Sequence, residues 1–140
     1  MHKPRLVLDT NVCLDLFIFR DPHCAHLHAA LLAGSVAAVT RADCRNEWLR
    51  VLDYPNLALD DDAKKQAATE FDALISCISP EQQAITLPFC TDKDDQKFLE
   101  LARDAKAKCL VTKDKALLKL GRKMARSGLF EIRRPQAWAA

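Results

Sequence analysis

The stretch Arg5-Leu6-Val7-Leu8-Asp9-Thr10-Asn11 decides how the chain is read. Arg5 to Thr10 has the apolar run of a buried strand, and a helical stretch follows from Asn11 to Phe19. Asp9 therefore stands where a strand hands over to a helix. In α/β proteins ligands gather beyond the carboxyl ends of the strands. A carboxylate placed there is either a functional group or a costly way to make a turn. The question it raises is which other acidic residues return to join it.

Working outward, the same alternation continues. Pro22 to Ala33 reads as a helix stopped by Gly34, with Cys24, Leu27, His28 and Leu31 at helical spacing. Val36 to Thr40 is a short strand. Ala42 to Asp53 is a helix that ends before Tyr54-Pro55. Asp60 to Ile78 is a longer one, opened by Asp60-Asp61-Asp62, a run that suits a helix N-terminus. Ile85 to Phe89 is a weak strand, Asp92 to Lys106 a helix, Cys109 to Thr112 a strand, Lys113 to Met124 a helix and Leu129 to Ile132 a last strand. Strands alternating with helices at this spacing predict an α/β fold, with a central parallel sheet of 4–5 strands covered by helices on both faces.

The chain has 140 residues, 49% of them hydrophobic, with 3 glycines, 6 prolines and no linker-like stretch, so one domain over residues 1–140 is expected. Disordered and fibrous classes are excluded by that composition. Six cysteines occur without a Cys-x-x-Cys pair, mostly in apolar stretches, as expected of a reduced, cytoplasmic, soluble protein. Met1 to Pro4 leads straight into the first strand, so no signal peptide is expected. Leu14 to Phe19 contains Asp15 and is too short to span a membrane.

The net charge of +2 conceals an asymmetry: from Arg103 onward there are 11 Lys/Arg against 3 Asp/Glu, and before it 10 against 16. An acidic body with a basic tail suits a metal-binding site beside a phosphate-backbone contact surface. Lys115, Lys119, Arg122, Lys123 and Arg126 recur at three and four residues, as one helical stripe just after Asp114. A solvated helix face is one reading of that stripe. An RNA-backbone contact by Lys113, Lys115, Lys119 and Arg122 is the other.

Three further places carry acids. Cys44, Trp48, Val51 and Leu52 form an apolar helix stripe, and Glu47 lies about 60° from Cys44 and about 40° from Val51 around the helix. It flanks the buried face and needs a partner, either a functional one or a salt bridge to a base such as Arg5 or Arg41. Asp92, Asp94 and Asp95 precede the stripe Phe98, Leu101, Ala102, Ala105, with Asp94 and Asp95 over its inward side. Asp92 also suits an N-cap. Asp114 repeats the opening pattern, an acid in the turn after an apolar strand. Several carboxylates on one sheet edge would repel each other unless a divalent cation sat among them, and hard cations take oxygen ligands. Such an ion lowers the pKa of a bound water, orients it and neutralises a scissile phosphate.

Val7-Leu8-Asp9-Thr10-Asn11-Val12, Glu47 on its helix, Asp92-x-x-Asp95-x-Lys97-Phe98-Leu99-Glu100-Leu101-Ala102 and Leu110-Val111-Thr112-x-Asp114-x-x-Leu117-Leu118, in that order, resemble the PIN (PilT N-terminus) domain family. The nearest branch is that of the toxin components of toxin–antitoxin systems, the VapC-like ribonucleases, and the resemblance covers nearly the whole chain. It implies a three-layer α/β/α sandwich and a Mg²⁺- or Mn²⁺-dependent endoribonuclease that hydrolyses RNA phosphodiester bonds. By position it makes Asp9, Glu47, Asp95 and Asp114 the metal-binding and catalytic acids, Asp92 an extra ligand, and Thr10, Asn11 and Thr112 site-organising residues. It further implies an antitoxin protein as partner and a homodimer. Two positions depart from the pattern: Lys93 replaces a usual proline, and Lys113 replaces a usual glycine. Lys113 either contacts a phosphate or hinders a second metal.

Other chemistries fit less well. His23, Cys24, His26 and His28 match no usual zinc spacing, and no Gly-rich phosphate loop occurs. A phosphoacceptor signalling domain needs an acidic pair at its first strand and an aspartate after a middle one. Asp9 is alone, and Val36 to Thr40 ends without one. A non-catalytic RNA- or protein-binding module on the same fold is the remaining alternative.

Overall fold

In the computed structural model, which describes residues 3–139, five strands form one wholly parallel sheet. They are β1 (Arg5–Leu8), β2 (Ala37–Thr40), β3 (Ile75–Cys77), β4 (Cys109–Val111) and β5 (Glu131–Arg133), in the order β3-β2-β1-β4-β5. The helices are α1 (Thr10–Leu14), α2 (Ala25–Ala33), α3 (Ala42–Leu52), α4 (Asp61–Leu74), α5 (Gln96–Asp104), α6 (Lys115–Leu118) and α7 (Gly121–Ser127).

Strand residues alternate between two cores, the expected consequence of side chains that point to opposite faces in turn. Leu6 and Leu8 of β1 and Cys109 and Val111 of β4 join one core with Trp48 and Phe71, while Val7 and Leu110 join the other with Phe98, Leu101 and Met124. Both faces are thus covered, giving the three-layer α/β/α sandwich. On the first face Trp48 stacks on Phe71 with ring centres 5.3 Å apart, and Phe17 meets both edge-on.

The chain departs from the sequence expectation at several elements. The stretch Asn11 to Phe19 begins one residue earlier and loosens after Leu14 into a π-helical turn, Asp15–Phe19, closed by Arg20 at φ 52°. Pro22–Cys24 is a 3₁₀ turn ahead of α2, since proline fits the first turn and lacks an N–H. The long helix opened by Asp60, whose carboxylate accepts from Ala63 N at 2.7 Å, stops at Leu74. Ile75 is buried and pairs with Ala38, so Ile75–Cys77 is the edge strand.

Ile85 to Phe89, expected as a strand, joins no ladder. Side chains of α5 bond part of its backbone instead. Arg103 donates to Ile85 O at 3.0 Å, and Gln96 donates to Pro88 O at 3.1 Å while accepting from Cys90 N at 2.7 Å. Leu87 is buried and Phe89 is 90% exposed, so one apolar side chain of the segment anchors it. The basic helix expected over Lys113 to Met124 is two helices, broken between Leu118 and Gly121. The last strand falls slightly later than Leu129 to Ile132.

Candidate metal centre

The pairing of β1 with β4, Leu8 opposite Val111, brings two strand ends together and the ladder continues into the turn through Asp9 N–H to Val111 O at 3.1 Å. Asp9 is buried, 3% exposed. Its Oδ1 accepts from Asn11 N at 2.7 Å, capping α1, and its Oδ2 accepts from the Thr112 hydroxyl. Thr112 is wholly buried, and its Oγ1 also accepts from Asp114 N at 3.0 Å. One hydroxyl thus fixes the relative placement of the two strand-end acids. Asp114 in turn caps α6, accepting from Ala116 N at 2.7 Å and Leu117 N at 3.3 Å.

The third side of the cluster comes from the 3₁₀ turn Lys93–Asp95 that leads into α5. Asp92 caps it, accepting from Asp94 N at 3.0 Å, and Asp95 ends it. Because this turn is 3₁₀ and not α-helical, only Asp95 of the pair Asp94 and Asp95 lies inward. Asp94 is exposed. Carboxylate oxygens of Asp92, Asp95 and Asp114 lie within 4.8 Å of one another, the one such group of potential metal ligands among the described residues. Asp95 Oδ2 is buried and has no hydrogen-bond partner.

The electrostatics follow from this crowding. Burial, then the charges of Asp114 and Asp9, push the Asp95 carboxyl up to about 7. Burial also raises Asp9, against the opposing hydrogen bonds from Thr112 and Asn11. Among the described ion pairs none involves Asp92, Asp95 or Asp114. An all-oxygen set with an unpartnered buried lone pair and no cationic side chain fits a hard divalent cation.

The other residues singled out from sequence take varied positions. Glu47, on α3, accepts from the Thr10 hydroxyl through Oε2 and from Lys97 Nζ at 2.9 Å through Oε1. Neither Arg5 nor Arg41 is its partner: Arg5 donates to Ala105 O, and Arg41 pairs with Asp43 and Glu100. Lys113 reaches away to buried Asp15, Nζ to Oδ2 2.6 Å. Lys115, Lys119 and Arg122 are exposed: Lys115 opens α6, Lys119 caps its end and Arg122 lies in α7. His26 stacks on Trp138, His28 meets Phe17 edge-on and His23 pairs with Asp21, so each of these three histidines has a local partner. Lys97 is the site residue that sequence reasoning passed over. Its signal was its place one turn after Asp94, at the mouth of the acidic turn.

Residues 5–116 match the PIN domain family. The chain belongs to that family. As a PIN domain it also resembles, in fold, a chain of VapBC2 from Rickettsia felis, whose crystal structure is bound to a DNA fragment from their promoter. The two are 14% identical, the match covers 93% of this chain and 98% of that one, and the TM-score is 0.59. No curated protein matches the sequence. PIN domains usually bind a divalent metal, and this one has its acidic cluster in place. No described helix is long and apolar enough to cross a membrane.

Proposed function

We propose that this PIN domain is a Mg²⁺- or Mn²⁺-dependent endoribonuclease. The observation that carries the reading is the convergence of Asp92, Asp95 and Asp114 within 4.8 Å beside buried Asp9. These four acids would hold the ion, and Glu47 closes the acidic wall through Thr10. When bound, the metal supplies charge neutralisation at a phosphate and an activated water.

The chain's own residues do the positioning. Thr112 and the Asn11 amide hold Asp9 in one orientation, and the Ala116 and Leu117 amides hold Asp114. An Asp95 carboxyl near 7 can keep a proton until a cation displaces it. Exposed Lys115, Lys119 and Arg122 would meet the RNA backbone beside the acids. The fold likeness to VapBC2 supports a toxin role with an antitoxin protein as partner; a homodimer is proposed on the family resemblance alone.

The test is cleavage of a mixed RNA pool with Mn²⁺ present, comparing wild type with Asp9→Asn and Asp95→Asn. Both variants are expected to lose at least about a hundredfold in rate. Equal rates would remove those acids from the reaction. Mn²⁺ binding with no turnover on any RNA would instead favour a non-catalytic binding module, a reading that the prior engagement of Glu47 by Lys97 supports.

A further inference from the structure

The acid on α3 is already satisfied, and the group that satisfies it is a cation. Glu47 has one oxygen on the Thr10 hydroxyl and the other on Lys97 Nζ at 2.9 Å. Lys97 is held in return: its ammonium also donates to Asp94 O and lies 5.1 Å from the centre of the Phe98 ring. The side chains are only 18% and 20% exposed, so this is no loose surface pair. Breaking a partly desolvated pair leaves an uncompensated charge, whereas surface pairs can be broken at little cost. Asp92, Asp95 and Asp114 differ in kind, since no cationic side chain pairs with them among the described residues.

We propose that Lys97 acts as a built-in cation that withholds Glu47 from metal binding, so the centre takes a single divalent ion among Asp9, Asp92, Asp95 and Asp114. The inference rests on the proposed metal centre. A second divalent ion on Glu47 would have to displace the ammonium and then sit beside it. Like charges at that separation repel strongly where water is partly excluded. Lys97 is thus a positioning residue that sets how many ions the site holds. Glu47 serves as its anchor.

The experiment counts Mn²⁺ per chain by calorimetry and by electron paramagnetic resonance, on wild type, Lys97→Met, Lys97→Gln, Glu47→Gln, Asp95→Asn and the double variant Lys97→Met/Glu47→Gln. Wild type is expected to bind one ion, Lys97→Met and Lys97→Gln two, and the double variant one again. Glu47→Gln alone should weaken the ion by less than about tenfold, the lower bound for losing a group that touches a metal site. Asp95→Asn should weaken it by about a hundredfold or more. Two ions in wild type, one ion in both folded lysine variants, or a large loss in Glu47→Gln would each overturn the role of Lys97. Those outcomes leave the metal centre itself standing so long as Asp95→Asn loses the ion. A wild-type protein that binds no Mn²⁺ would bring down both proposals.

Discussion

Asp95 holds most of the tension at the scale of single residues. Its carboxyl is held near 7 in the folded chain against an ordinary 3.8, chiefly by burial. The folded state therefore binds that proton more readily than the unfolded one. The favourable contribution is complete below the unfolded value and is lost as pH rises through the folded one. In EDTA, Asp95→Asn should melt above wild type at about pH 8, with the gap closing near about pH 4. Melting curves across that range check it, and a constant gap would contradict the assignment. Asp9, Asp95 and Asp114 were legible in the sequence because strand ends and helix starts leave a short local signature. Lys97 was not, since a lysine beside an acidic turn reads the same whether it reaches inward or into water. Lys113 shows the converse: its neighbour Asp114 suggested a site role, yet its ammonium lies on Asp15, a partner 98 positions away in the chain.

At the scale of elements, side chains of α5 do what a sheet edge would otherwise do for residues 85–90. Gln96 is the hinge of this arrangement, with one bond to Pro88 O and one from Cys90 N. Gln96→Ala should speed hydrogen exchange at the Cys90 amide by roughly tenfold, for the loss of about 1–2 kcal/mol of local protection. The protection of β1 and β4 should stay as it is, and a change there would show the segment to be part of the global unit. Apolar alternation at Ile85, Leu87 and Phe89 imitates a strand, and nothing local reveals that the ladder slot is filled by Ile75–Cys77. The division of the basic run into α6 and α7 was equally hidden. Gly121 lies against Ile132, where an added Cβ would meet the carbonyl oxygen at 3.4 Å, a tertiary contact that helical spacing cannot report.

For the whole molecule, the class and parallel character of the sheet could be read from alternating elements, but the order of strands could not. Order depends on which pairs bury the most apolar surface together, and that is settled between elements remote in sequence. Trp48 shows the weight of this burial: 1% exposed, it packs on Phe17 and Phe71 and so ties α3 to both α4 and the π-helical turn. Trp48→Ala is expected to cost about 3–5 kcal/mol, read from urea titration, with the transition staying cooperative. A loss under about 1 kcal/mol would mean that the cavity collapses freely.

The seating of β1 between β2 and β4 has a consequence for synthesis. Asp9 and Glu47 leave the ribosome long before Thr112, whose hydroxyl orients Asp9, and Asp114, which completes the acidic group. Domains of this size fold as units. A nascent chain that has not yet delivered β4 therefore carries the first acids with nothing to hold them, and the centre comes into being only once β4 and Asp114 have been made.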